Sequence, residues 1–204
     1  MVLAEPIKGI RQSYEQVTVR TRAEWRQWLA QNHPRTTSIW LVTFKKGSGQ
    51  PTLPYAEIVE EALCFGWVDS RPAKLDEHRS MLLISPRRRG SGWSRVNKER
   101  VARLIENGLM MPPGLAKIEG AQADGSWTAL DEVEQMVIPP DVVEALAANS
   151  AAQGYFNQFN GSSIRGILQW ISSAKRPETR AKRIAETVRL AAQNIKANQP
   201  LPKA

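Results

Sequence analysis

Cysteine is almost missing from this 204-residue chain. Cys64 stands alone, which excludes an internal disulfide framework and a cysteine-rich zinc site. Histidine is nearly as scarce, and His33 and His78 are too few for a His-based metal cluster. No apolar run approaches the ~18 residues that a membrane-spanning helix needs; the longest are Ile39–Phe44 and Met81–Ile84. Met1–Ile10 lacks the apolar core and cleavage pattern of a secretory signal, so the expectation is a cytoplasmic protein. The GxGxxG, Walker A, HExxH and GxSxG patterns do not occur, which leaves dinucleotide binding, zinc proteolysis and serine hydrolysis without sequence support. No cofactor and no metal is called for.

What is present is an ordinary globular composition with an uneven charge. The net charge is +8. Residues 71–103 hold 10 basic and 3 acidic groups, residues 104–140 hold 1 basic and 6 acidic, and residues 141–204 hold 9 basic and 4 acidic. Two basic regions thus flank an acidic stretch. Such a surface attracts an anionic ligand, nucleic acid or an anionic membrane face, or the acidic stretch neutralises a basic face of the same molecule.

The apolar periodicity predicts an α+β protein: a small antiparallel sheet with helices packed on it, then an all-helical C-terminal part. Residues 1–18 show no apolar period and read as a partly ordered leader. Thr21-Arg-Ala-Glu24 fits a capping box, and Trp25, Trp28 and Leu29 share one helical face up to Asn32-His33-Pro34. Ser38–Lys45 reads as a strand. Pro54–Phe65 reads as a helix stopped by Gly66. Trp67–Ser70 and Ser80–Ser85 read as hairpin strands joined by Arg71–Glu77. Ser85–Ser94 reads as a Gly/Arg/Ser-rich loop. A helix is expected from Ser94 or Asn97 to Gly108, a chain break at Pro112-Pro113-Gly114, and a short helix over Leu115–Ala123. Further helices are expected over Asp141–Ala148, after caps at Ser150 and Ser162, and from Pro177 with Ala181, Ile184, Val188, Ala191 and Ile195 inward; 198–204 reads as a frayed tail. The organisation expected is an α+β domain over 19–125, an acidic linker over 126–140 and a helical domain over 141–197.

The densest chemical signal is Arg87, Arg88, Arg89, Arg95, Lys98, Arg100 and Arg103, with Trp93 and Asn97 interleaved. Guanidinium groups form planar forks for phosphate or carboxylate, and Trp93, set among glycine and polar residues, is expected to be partly exposed as a stacking face. Asp69 and Asp76 are the acids best placed near this cluster and are expected to pair with Arg71 or Arg87. Cys64, between Leu63 and Phe65, reads as a buried, inert thiol, and His78 as an exposed turn residue. The last helix offers a second basic set, Lys175, Arg176, Arg180, Lys182, Arg183 and Arg189; over Arg176–Arg183 it reads as a patch for nucleic acid or acidic lipid, or as a solvated helix face.

Several stretches, in one order, resemble the YdeI/OmpD-associated family of bacteriocin-protection (OmdA-type) proteins. They are Glu61-Ala-Leu-Cys-Phe-Gly-Trp-Val-Asp-Ser70, Ser85-Pro-Arg-Arg88, Ser91-Gly-Trp-Ser-Arg-Val-Asn97, Gly108 with Pro113-Gly114-Leu115, and Ala174-Lys-Arg-Pro-Glu-Thr-Arg-Ala-Lys-Arg183. The resemblance runs from about Trp25 to Asn194. It implies an N-terminal part similar to the YjbR/CyaY-like proteins and a helical C-terminal part. It also implies a role in tolerance of bacteriocins or antimicrobial peptides, through a protein or peptide partner that is in some members linked to an outer-membrane porin. It brings no catalytic residue. The frataxin side of that superfamily binds iron through an acidic ridge, and the basic 71–103 segment gives no reason to carry that over.

The leading expectation is therefore a non-enzymatic stress protein. Its working surface comprises Arg87, Arg88, Trp93, Ser94 and Asn97 near Trp67 and Asp69, with Lys175, Arg180 and Arg183 in the C-terminal part. A nucleic-acid-binding module built on the two basic regions is the alternative. An enzyme of undefined reaction, using Asp69, His78 or Cys64, is the third.

Overall fold

The computed structural model describes residues 14–198; the leader expected over the first residues lies outside them up to residue 13, as does the expected tail from 199. The chain divides into two compact units, the first reaching Trp127 and the second starting at Thr128. The fold is α+β: a four-stranded sheet with helices in the first unit, and helices alone among the described residues of the second.

The first unit opens with a strand, β1 (Glu15–Thr18), inside the stretch expected to be irregular. It pairs in parallel with β2 (Ile39–Phe44), and α1 (Arg22–Asn32) is the crossover between them. Thr21 caps α1 as expected: its hydroxyl accepts from the Glu24 amide at 3.2 Å. The Glu24 carboxylate accepts from the Arg20 amide instead of closing on Thr21 itself. The next elements are α2 (Tyr55–Cys64), β3 (Trp67–Lys74) and β4 (Arg79–Pro86). The sheet order is β1-β2-β4-β3, with β4 antiparallel to both its neighbours. The hairpin is longer than expected. β3 runs on through Arg71–Lys74, past a register shift between Asp69 and Pro72 that lets Pro72 sit in an edge strand.

β2 is buried on both faces. Ile39 and Leu41 face the main core, where Trp25, Leu29, Val59, Leu63 and Ile84 are fully buried; Trp40 and Val42 join Met81 on the opposite face. Burying one such side chain stabilises the fold by roughly 1.5–3 kcal/mol. Polar ties add to this packing. The Trp25 indole donates to the Ile58 carbonyl at 3.0 Å. The buried Glu61 carboxylate accepts from Arg22 Nε and Arg26 Nη1, each at 2.6 Å, and clamps α1 to α2.

Two helices complete this unit, α3 (Arg95–Glu106) and α4 (Pro112–Ala123). Ser94 caps α3. The expected break at Pro112-Pro113-Gly114 is instead the first turn of α4, where a missing proline N–H costs no intrahelical bond. That turn packs hard against the end of α2: a Cβ on Gly114 would lie 2.3 Å from the Cys64 carbonyl oxygen. Within the stretch read as a linker, Trp127 closes the first unit by packing on Trp93 at 5.0 Å.

The second unit holds α5 (Asp131–Glu134), α6 (Pro140–Ala147), α7 (Ser150–Gln158), α8 (Gly161–Ser172) and α9 (Pro177–Ala191). Val142, Phe156, Ile167, Ile171 and Ala191 form its core. The caps of α7 and α8 are Asn149 and Asn160 rather than Ser150 and Ser162; an asparagine carbonyl reaches the N3 amide from one or two residues earlier. Ile195 lies beyond α9, and Thr187 takes an inward position on that helix, its hydroxyl returned to the Arg183 carbonyl at 2.8 Å.

Candidate anion-binding site

The end of α2 sets the site. Gly66 adopts φ +77°, a left-handed conformation that glycine takes without strain, and turns the chain from Phe65 into β3. The Gly66 carbonyl then accepts from the Arg87 amide at 2.9 Å, so the start of β3 and the segment after β4 lie side by side. A Cβ on Gly66 would lie 2.8 Å from Lys117 Cγ, which shows how closely the lysine stem from α4 rests on this turn. Across from it, Trp67 holds the C-terminal end of α1: its indole donates to the His33 carbonyl at 3.2 Å. Ser38 and Ser85 share a hydroxyl–hydroxyl contact of 2.8 Å.

Between these pieces lies a cleft of about 700 Å³. Its charged lining residues are Arg35, Arg87, Arg88, Arg89 and Lys117, with no carboxylate among the lining residues. Two of the cations are answered nearby: Arg35 pairs with Glu15 at 2.5 Å, and Arg89 approaches Asp124 at 3.6 Å. Arg87, Arg88 and Lys117 have no carboxylate partner among the described residues.

Arg87 is the unusual member. It is only 5% exposed. Its guanidinium carbon lies 3.7 Å from the centre of the Trp93 ring, and Nη2 donates to the Ser91 and Gly92 carbonyls at 3.3 and 2.9 Å. Burial pushes this guanidinium down to about 10, against an opposing pull from Asp69.

The residues expected to form the working surface are placed as follows. Arg87 and Arg88 line the cleft, and Arg88 is exposed. Trp93 is 1% exposed, so the expected stacking face is absent; the ring belongs to the main core, with Arg87 over it and Trp127 tilted against it, contacts that its polar neighbours in sequence do not suggest. Trp67 is also fully buried. Ser94 is the α3 cap, and the Asn97 side chain accepts from Arg100 at 3.0 Å. Asp69 makes neither expected ion pair; its carboxylate accepts from the Tyr55 hydroxyl at 2.6 Å. The Tyr55–Asp69 pair lines a separate cleft of about 550 Å³, in whose wall neither Cys64 nor His78 takes part. Cys64 is buried, and burial pushes its thiol up to about 11.

In the second unit, Arg180 forms a two-pronged pair with Asp141 at 2.7 and 2.8 Å. Arg183 donates to the Trp170 carbonyl and to Ser173 Oγ, and lies over the Trp170 ring at 5.1 Å. Lys175 is exposed. Arg35 and Lys117 were not singled out by sequence. Lys117 is the only basic residue of the acidic 104–140 stretch, and only the α4–Gly66 contact carries it to the cleft.

Residues 135–194 match the family described as Bacteriocin-protection, YdeI or OmpD-Associated, which supports the family resemblance. Residues 17–117 match a domain of unknown function (DUF8412) and thus span every cationic residue of the cleft. That match does not connect the first unit to the YjbR/CyaY-like proteins. No curated protein and no solved structure matches the chain. No helix among the described residues is long and apolar enough to cross a membrane.

Proposed function

We propose that this is a non-enzymatic protein of the bacteriocin-protection type that works by holding an anionic partner in the cationic cleft of its first unit. One observation carries the reading: the charged groups lining the cleft are all cationic, and three of them lack a carboxylate partner among the described residues. A cluster of like charges around a concave surface raises the local concentration of anions and steers them inward. The match of residues 135–194 to the bacteriocin-protection family is what supports reading that role as protection against bacteriocins. The nucleic-acid alternative draws less support, because Trp93 and Trp67 are buried and present no ring for a base to stack on.

The test is survival under bacteriocin or cationic-peptide challenge in cells that depend on this protein. The Arg88→Ala/Lys117→Ala double variant, at equal expression and with native circular dichroism, is expected to lose protection. The Arg189→Ala variant, which removes a charge paired with Glu186 on α9, is expected to keep it. Full protection by the double variant overturns the reading.

A further inference from the structure

From the cleft's charge and shape we infer that its occupant is a small organic phosphate, held by Arg87, Arg88 and Lys117; this rests on the cleft being the working site. The first ground is Arg87. A cation removed from water without a counter-ion is costly to the fold, and carbonyl acceptors offset that cost only in part. Arg87 is 5% exposed, pairs with no carboxylate among the described residues, and donates within the protein from Nη2 alone, so that Nε and Nη1 keep only a narrow contact with solvent. It lies in the wall of the cleft. An anion there supplies the missing counter-charge; with Nη2 taken by the Ser91 and Gly92 carbonyls, Nε–H or Nη1–H donates a single charge-assisted hydrogen bond to it, and Arg88 and Lys117 supply the others.

The second ground is the count and placement of charge. Arg88 comes from the segment after β4 and Lys117 from α4, and both lack a carboxylate partner among the described residues. Together with Arg87 they set three positive charges around the two negative charges of a phosphate monoester. The Ser91 hydroxyl is committed to the Arg88 carbonyl at 2.7 Å, which fixes the turn carrying these arginines.

The third ground is size and lining. About 700 Å³ falls in the range of small-molecule sites and exceeds what a bare phosphate fills. Pro34, Phe65, Val68 and Pro113 provide apolar wall for an organic body. A nucleic-acid strand calls instead for an extended basic track with exposed rings, and the rings beside this cleft are buried.

The experiment uses the full chain and phenyl phosphate, a dianion on an apolar body, with inorganic phosphate, sodium chloride at matched ionic strength and a duplex DNA in parallel. Calorimetric titration is expected to give one saturable site for phenyl phosphate, tighter than for inorganic phosphate. The melting temperature should rise with phenyl phosphate and not with chloride. Arg88→Ala and Lys117→Ala should each weaken binding at least about tenfold, the effect of losing one charge-assisted hydrogen bond, and Arg189→Ala should leave it unchanged. Arg87→Met should abolish binding; if that variant does not fold, the Arg88 and Lys117 variants decide the matter. Absent saturation, or unchanged affinity in both of those variants, overturns the inference. So does tight, steeply salt-dependent DNA binding that the Arg88 variant loses while phenyl phosphate stays unbound. Loss of cellular protection in the Arg88/Lys117 double variant without phenyl phosphate binding sinks the ligand class and keeps the cleft. Binding without any loss of protection in that variant sinks the cleft's role instead.

Discussion

Arg87 and Trp93 form a buried pair in which the guanidinium lies 3.7 Å from the ring centre and no carboxylate among the described residues completes the charge. The two residues have opposite energetic signs. The ring contributes apolar burial and a favourable face for a cation, while the cation costs desolvation.

Arg87→Met keeps the length of the side chain and removes the charge. Its unfolding free energy is expected within about 1.5 kcal/mol of the parent in urea denaturation, because the lost hydrogen bonds to Ser91 and Gly92 are offset by the charge no longer being buried. A loss beyond about 3 kcal/mol, in the range seen when a well-compensated buried ion is broken, would show that Arg87 is already fully compensated.

Trp93→Ala empties the space between Arg87 and Trp127. A loss of roughly 3–5 kcal/mol is expected, read from the urea midpoint with an unchanged slope. A loss below about 1 kcal/mol, typical of a surface position, would mean that the ring is not buried in solution.

Gly114 and Gly120 lie in one helix and should respond in opposite directions. Gly114→Ala drives a Cβ into the Cys64 carbonyl, and a destabilisation of at least about 1–3 kcal/mol is expected. A Cβ at Gly120 meets nothing within 4 Å, so Gly120→Ala should stabilise by roughly 0.4–1 kcal/mol. Thermal melts of the two variants compare them directly.

Cys64 should resist alkylation in the folded chain. The thiolate is the reactive form, and burial holds this thiol up to about 11. Iodoacetamide labelling at neutral pH is expected to be slow in buffer and complete in denaturant. Rapid labelling of the native protein contradicts the packing around the end of α2.

Tyr55 should be slow to ionise. Partial burial, then the hydrogen bond to Asp69, lifts its hydroxyl to about 12. The folded chain holds this proton more tightly than the unfolded chain, so the residue's contribution to stability is complete below about pH 10 and fades as pH rises through about 12. Tyrosinate absorbance should lose its latest-titrating component in Tyr55→Phe.

The fold class was legible because its signals are local. The apolar stripe of α2 ends at a left-handed Gly66, and Thr21 and Ser94 cap helices where their hydroxyls stand before an apolar period. Signals with two readings misled. Pro112-Pro113 either breaks a chain or opens a helix, and only the contact with Cys64 decides. Ser150 and Ser162 compete with asparagines one and two residues earlier. β1 is four residues long with one buried side chain, too little for an alternation to register. Arg87 and Arg88 announced themselves as a run, whereas Arg35 and Lys117 reach the cleft only through tertiary packing. The burial of Trp93 was hidden because one partner is a cation of its own loop, a residue type that reads as exposed, and the other is Trp127, which only tertiary packing brings to it.

The short first strand guards the sheet against self-association. β1 covers one long side of β2, whose Ile39-Trp40-Leu41-Val42 run is apolar on both faces. Shortening the chain to begin at Val19 would bare that side and present unpaired backbone amides and carbonyls beside four apolar residues, the pattern that recruits a like strand from another molecule. The cost of losing these eighteen residues, β1 among them, would then show as concentration-dependent aggregation more than as a lower melting temperature.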